Sequence, residues 1–257
     1  MTTLEYEARR ETPGPVALVR RLYRAARVLV HIGAGWMLAL GLGAFHRPRR
    51  RIVRRVTRQW LLTTLSILGV RVKVTGAPAR GPALLVSNHV SWLDIPVLGA
   101  RQELMFLAKD EVRHWPLIGP LAAAAGTLFL RRGRREAGYR RDEIAHYLRR
   151  GRTVLVFPEG TTTDGRSVAP FHGRLLGAAA QANVAVQPVT VRYCTASGRA
   201  DPSVAFVGED DFLLHLWRLL ARRRIHVRVT FHEPIPASGM DPEALAREAR
   251  GRVADRL

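Results

Sequence analysis

Asn88-His89-Val90-Ser91-Trp92-Leu93-Asp94 sets an imidazole five residues ahead of a carboxylate, directly after the apolar run Ala83–Ser87. A carboxylate that accepts a hydrogen bond from one imidazole nitrogen fixes the tautomer. It also stabilises the cation formed when the other nitrogen takes a proton, which makes the pair a general base for a hydroxyl. Further on, Phe157-Pro158-Glu159-Gly160-Thr161 ends a second apolar run and turns at Pro158 and Gly160, where glycine frees the backbone to approach a ligand. His89 and Asp94 cannot face one another on one regular helix, because five residues are about 140° out of phase. A strand-to-helix bend must fold them together, with Ser91 or Asp94 as the helix cap.

The elements around these blocks predict an α/β fold. Strands are expected at Val70–Val74, Ala83–Ser87, Leu104–Ala108, Thr127–Leu130, Thr153–Phe157, Val184–Tyr193, Val204–Val207 and Ile225–Phe231. Helices are expected at Ile95–Arg101, Pro116–Ala125, Glu136–Arg150, Leu175–Ala182, Phe212–Arg223 and Pro242–Leu257. Strand and helix in turn, with several continuous apolar strands, imply a mixed central sheet flanked by helices. His89 then falls just past the C-terminal end of its strand, the edge where open α/β sheets collect ligands.

The N-terminal quarter reads differently. Val28 to Phe45 is apolar apart from His31, and at 1.5 Å per residue it reaches roughly 27 Å, just short of a hydrocarbon core. Arg20, Arg21, Arg24 and Arg27 precede it; Arg47, Arg49, Arg50, Arg51, Arg54 and Arg55 follow. Basic residues on both sides suit a monotopic segment that dips into one leaflet better than a single span. Trp60–Val70 would be the returning helix, with Arg51, Arg54, Arg55 and Arg58 at headgroup level. Residues 1–69 are therefore expected to form an N-terminal tail and helical membrane-anchoring element, and residues 70–257 the catalytic domain.

The net charge of +20 attracts polyanions, a bilayer or nucleic acid. The arginines bracket apolar helices rather than stacking aromatics, which favours the bilayer and argues against a nucleic-acid partner. Cys194, the only cysteine, allows no intramolecular disulfide and lies in an apolar strand, the setting of a buried inert thiol. No histidine has metal-ligand spacing, so no metal is expected.

Together the two blocks resemble the first and third blocks of the glycerolipid acyltransferases, the lysophosphatidic acid acyltransferase family. Gly126-Thr127-Leu128-Phe129-Leu130-Arg131-Arg132 is similar to the family's Gly-x-x-Phe-Ile-x-Arg segment, and Val186-Gln187-Pro188-Val189 to its fourth block. The resemblance runs from about Val70 to Tyr193. It implies an O-acyltransferase in which His89 and Asp94 are catalytic and Asn88, Arg132, Glu159, Gly160 and Thr161 bind substrate. Arg132 would be the cation for the acceptor phosphate or the donor. No cofactor is implied beyond an acyl-CoA or acyl-ACP co-substrate, meaning a coenzyme A or acyl carrier protein thioester. The acceptor hydroxyl attacks that thioester directly, so no serine or cysteine nucleophile is needed. The partners are then membrane lipids, a lysolipid acceptor and the thioester carrier, at the cytoplasmic face of the inner membrane.

One departure bears on the acceptor. Many phosphatidic-acid-forming members carry arginine directly after Phe-Pro-Glu-Gly-Thr; here Thr162-Thr163-Asp164-Gly165 follows. That continuation resembles bacterial members that acylate lyso-ornithine lipid. His172 also stands where the family often has lysine. By family frequency 1-acyl-glycerol-3-phosphate is the first expectation, with lyso-ornithine lipid as the alternative. A non-catalytic lipid-binding protein is the reading from another class, and the intact His89, Asp94 and Glu159 argue against it.

Overall fold

The computed structural model describes residues 14–48, 50–130 and 134–257, with residues 134–137 described as backbone alone. Two helices come first, α1 (Pro15–Gly41) and α2 (Arg51–Leu68). The strands are β1 (Val70–Thr75), β2 (Ala83–Ser87), β3 (Met105–Lys109), β4 (Leu128–Leu130), β5 (Val154–Val156), β6 (Ala185–Cys194) and β7 (Ile225–Phe231). Between and after them lie α3 (Asp94–Gly99), α4 (Asp110–Arg113), α5 (Ile118–Ala124), α6 (Arg134–Arg149), α7 (Gly177–Ala182), α8 (Phe212–Ala221) and α9 (Pro242–Ala254).

The seven strands form one sheet in the order β1-β7-β6-β2-β5-β3-β4. Every pairing is parallel except β6 with β7, so β1 and β7 run against the other five. β2 is buried along its whole length because both its faces are covered, which is why it reads as a continuous apolar run. One face packs Leu85, Leu155, Val191 and Val227 against Leu61, Leu65 and Leu68 of α2, Leu98 of α3 and Leu219 of α8. The other packs Leu84, Val156 and Val186 against Ile144 and Leu148 of α6, Ala178 of α7 and Leu245 of α9.

Several expectations are corrected. Val204–Val207 is not a strand: a 3₁₀ turn spans Pro202–Val204, and Phe206 gives its backbone N–H to the Val90 carbonyl instead of to a ladder. α1 begins at Pro15, well before the apolar run. Proline suits that first turn, and the arginines inside the helix have tertiary partners. Arg20 donates to the Ala221 carbonyl and Arg24 to the Arg222 carbonyl, satisfying the C-terminal carbonyls of α8. Arg21 lies over the Trp217 ring. α2 starts at Arg51 and stops where Gly69 takes a left-handed φ of 72°.

Three of the four arginines expected at headgroup level bond to the protein body, Arg55 among them through Glu103 at 4.0 Å. Arg54 pairs with Glu103 at 2.9 Å, and Arg58 donates to the Ala100 carbonyl. α1 and α2 lock together through Trp60, whose Nε1 donates to the His31 carbonyl while the two rings stack 4.5 Å apart. Gly35 makes this possible, since a Cβ there would sit 2.8 Å from Trp60 Nε1. α2 thus belongs to the same core as the sheet. Among the described residues no helix is long and apolar enough to cross a membrane. Residues 1–13 lie outside the described residues.

Candidate active site

The chain leaves β2 at Ser87, and the next side chain continues the sheet. Asn88 Oδ1 accepts the Val191 N–H at 2.8 Å and its Nδ2 donates to the Val191 carbonyl at 2.9 Å, so an amide side chain imitates one more ladder residue on β6. Asn88 is fully buried and both ends of its amide are engaged. This anchors the bend that the His89–Asp94 spacing requires. His89 Nδ1 lies 2.8 Å from Asp94 Oδ2. The same oxygen accepts the N–H groups of Val90 and Ser91 at 2.8 and 3.0 Å.

Asp94 therefore does not cap the helix it begins. It turns back to hold the loop before it, and α3 has no side-chain cap at all. Ser91 Oγ accepts the Leu93 N–H at 3.4 Å. The second oxygen, Oδ1, accepts the Tyr193 hydroxyl at 2.7 Å. Four donors converge on a carboxylate with no exposed surface, the pattern an ionised acceptor takes. Burial, then the adjacent Asp94 charge, hold the Tyr193 phenol well above its usual range, so it remains a donor.

With Nδ1–H given to Asp94, Nε2 is the ring's proton acceptor. It makes no hydrogen bond among the described residues, and a fifth of the His89 side chain is exposed. The opposite ring face is fixed: Phe157 stacks on the imidazole with centroids 3.9 Å apart and planes 12° from parallel. The strand end that carries the second block thus also orients the histidine.

Glu159 sits behind the histidine, buried to 5% exposure. Its Oε1 accepts the His89 backbone N–H at 2.7 Å and its Oε2 the Ala169 N–H at 2.8 Å. Burial raises this carboxyl above the ordinary range, against the pull of the two N–H donors. Glu159 clips the two blocks together. Gly160, at φ 69°, and Thr161 are exposed beside it, with His172 near Gly160. Thr163 donates its N–H to the His89 carbonyl at 2.8 Å, and Gly165 lies against Val90, where a Cβ would be 3.2 Å from the valine methyls. The loop that departs from the family pattern is therefore in direct contact with the histidine segment. Asp164 pairs with Arg166 at 3.7 Å. Arg131 and Arg132 lie outside the described residues.

Tyr193 and His215 carried no sequence signal for this site, and Phe157 stood in the second block with no role assigned to it. The chain beyond residue 200, outside the stretch of family resemblance, closes it. Trp92 Nε1 donates to His215 Nδ1 at 3.0 Å, and His215 Nε2 donates to the Ala205 carbonyl at 2.9 Å. Burial, reinforced by Arg218, lowers the His215 pKa and keeps the ring neutral. Phe212 packs on both Trp92 and Trp115. Cys194 is buried, and Lys109 is exposed at the end of β3.

A family model described as Acyltransferase matches residues 71–192, the stretch that holds Asn88, His89, Asp94, Phe157 and Glu159, with Tyr193 and the C-terminal closure just beyond it. A lyso-ornithine lipid O-acyltransferase of Pseudomonas aeruginosa is 46% identical over 246 residues, covering 93% of each chain. Another of that name from Brucella abortus is 40% identical over 73% of this chain and 76% of its own. A 1-acyl-sn-glycerol-3-phosphate acyltransferase of Neisseria meningitidis is 33% identical over 82% of each. The crystal structure of the 1-acyl-sn-glycerophosphate acyltransferase PlsC from Thermotoga maritima shares the fold, with a TM-score of 0.64 at 22% identity over 93% of this chain and 94% of that one. The chain is an acyltransferase and belongs to the lysophosphatidic acid acyltransferase family of glycerolipid acyltransferases.

Proposed function

We propose that this enzyme transfers a fatty acyl group from a coenzyme A or acyl carrier protein thioester to the hydroxyl of lyso-ornithine lipid. The observation that carries the chemistry is the 2.8 Å contact between His89 Nδ1 and the fully buried Asp94. His89 Nε2 takes the proton of the acceptor hydroxyl as its oxygen attacks the thioester carbonyl. Asp94 stabilises the imidazolium. The new C–O bond replaces the C–S bond, and the departing thiolate recovers the proton, which returns the imidazole to its neutral form. Asn88 and Glu159 hold the histidine loop in place. Gly160 and Thr161 are assigned to the acceptor, and Arg132 to the acceptor or the donor.

The acceptor assignment reverses the order given by family frequency. It rests on the Thr162–Gly165 segment, which lacks the guanidinium that suits a phosphate and is bonded to His89 through Thr163. Relatives from Pseudomonas and Brucella that carry the lyso-ornithine name support it. The Neisseria relative keeps 1-acyl-glycerol-3-phosphate as the second reading.

The membrane reading rests on α1. Val16, Val19, Tyr23, Val30, Met37 and Leu40 are exposed at spacings of three, four and seven, an apolar stripe on the side turned away from the protein. Leu213, Leu214 and Trp217 of α8 are exposed as well. This surface lies in one leaflet at the cytoplasmic face, with residues 1–69 as the anchoring element.

Purified enzyme in mixed micelles with labelled palmitoyl thioester should acylate lyso-ornithine lipid, and His89→Ala should not. Product from 1-acyl-glycerol-3-phosphate alone would overturn the acceptor assignment. Full activity in His89→Ala would overturn the mechanism.

A further inference from the structure

β1, β7 and β6 present one apolar and one basic face. Val70, Val191, Tyr193, Ile225 and Val227 point into the core beneath α2 and α8. Alternation turns their neighbours to the opposite side. The register aligns Lys73 with Arg228 and Arg228 with Arg192 in one cross-strand row, and Arg71 with His226 and His226 with Cys194 in the next. Neither row contains a carboxylate. Among the described residues no ion pair includes Arg71, Lys73, Arg192 or Arg228.

The helices that cover this side of the sheet stop short of β1 and β7; α9 reaches β6 at Thr190, whose Oγ1 donates to the Val253 carbonyl. Their core takes residues from β2, β3, β4, β5 and the start of β6, and none from β1 or β7. Like charges directly opposite one another destabilise a sheet. A row of three cations on a bare sheet face therefore opposes folding and favours a negatively charged partner.

The apolar stripe of α1 and the exposed end of α8 lie on the other side of the sheet, so the basic face looks away from the proposed lipid surface and meets a water-borne partner. An open groove of about 530 Å³ runs around this edge of the sheet, with Arg71, Lys73, His226 and Arg228 on one wall and Leu62 and Leu65 of α2 on the other. No Phe, Tyr or Trp lines it, so it offers no platform for a nucleotide base. Its charge and openness suit the surface of an acidic protein. The rows also sit at the His89 end of the sheet: Ser87 pairs with Val189, and β6 runs on from there to Cys194. With strands about 4.8 Å apart, β7 is roughly 10 Å from β2, a gap that a carrier's flexible prosthetic arm crosses.

We propose that the bare face of β1, β7 and β6, centred on Lys73, Arg228 and Arg192, docks the acidic carrier protein that delivers the acyl thioester. This rests on the acyl-transfer reading above and selects its donor.

The test pairs wild type with Lys73→Glu/Arg228→Glu, and uses the charge-neutral Lys73→Gln/Arg228→Gln as a milder second variant. Palmitoyl-loaded acyl carrier protein is titrated at low and raised salt, and KM is measured for that donor and for palmitoyl-coenzyme A. The charge-reversed enzyme should bind the carrier about tenfold more weakly, with a flatter salt dependence, and show a matching rise in KM for the carrier-borne donor alone. The neutral variant should fall between. Unchanged carrier binding in both variants overturns the proposal. So does an equal loss with both donors, or a loss that appears only in binding to anionic phosphatidylglycerol vesicles. Carrier binding needs no turnover, so an enzyme that binds the carrier and transfers nothing would sink the acyl-transfer reading and leave the docking face standing.

Discussion

Tyr193 donates its hydroxyl to Asp94 Oδ1 at 2.7 Å from a position 99 residues further along the chain. That bond leaves Oδ2 to the His89 ring and the Val90 and Ser91 amides. The carboxylate is held from both sides, by its own loop and by β6. Its aim at Nδ1 therefore depends on the sheet as much as on the motif.

Tyr193→Phe should leave Asp94 Oδ1 buried without a donor. A stability loss of about 1–3 kcal/mol is expected, together with a roughly tenfold drop in kcat at nearly constant KM for both substrates. Chemical denaturation and steady-state kinetics on one preparation check this. A KM rise without a kcat change would mean that Tyr193 shapes the pocket rather than positioning Asp94.

Asp94→Asn keeps the shape and removes the charge. The amide oxygen can keep the bonds from the His89 ring and the loop amides with the NH2 turned to the Tyr193 hydroxyl, but the charge that stabilises the imidazolium is gone. Turnover should fall by about two to four powers of ten, as it should in His89→Ala. The double variant should be no worse than the poorer single one, because the two groups act as a unit. Additive losses in a kinetic cycle would refute that coupling.

Glu159→Gln tests the clip. Glutamine has one acceptor oxygen, so either His89 or Ala169 loses its partner and meets an N–H donor instead. Stability should drop by about 1–3 kcal/mol. Because the His89 backbone moves with it, kcat should fall while the protein still binds membranes. Thermal melts beside a vesicle sedimentation assay read both effects. Normal kcat with reduced stability would confine Glu159 to a folding role.

Stability should also fall on mild acidification. Burial lowers the pKa of His215, His31 and His232 in the folded protein, whereas in the unfolded chain they protonate near pH 6.5. Below that pH the unfolded state binds more protons, so stability decreases as pH falls, until the folded pKa values are reached. For the fully buried His215 the slope is at most about 1.4 kcal/mol per pH unit. The melting temperature should decline from pH 7.5 to 5.5, and His215→Gln should flatten part of that decline. A flat wild-type profile would contradict it.

Much of the sheet could be read from local pattern. β2, β5 and β7 are short apolar or alternating runs bounded by turn residues, and their strands form within a residue or two of expectation. The bend that joins His89 to Asp94 follows from helix geometry, since no regular helix permits that contact. Val204–Val207 misled because its apolar residues are buried, through Val204 and Ala205, without any strand partner. The start of α1 was hidden because arginines read as membrane flanks, while Arg20 and Arg24 reach the end of α8, about 200 residues away in sequence.

By itself the sequence determined the chemical groups: an imidazole and a carboxylate at the end of a buried strand, and a proline-glycine turn carrying a glutamate. These are local, set by residue type and backbone period. Tertiary structure alone decided their surroundings. It brought Tyr193 to Asp94, stacked Phe157 on His89, turned Glu159 inward onto backbone amides and set Lys73, Arg228 and Arg192 in one row. Each of those contacts joins strands or loops far apart in the chain. Their partners are chosen by strand order and register, which depend on how the whole apolar core packs.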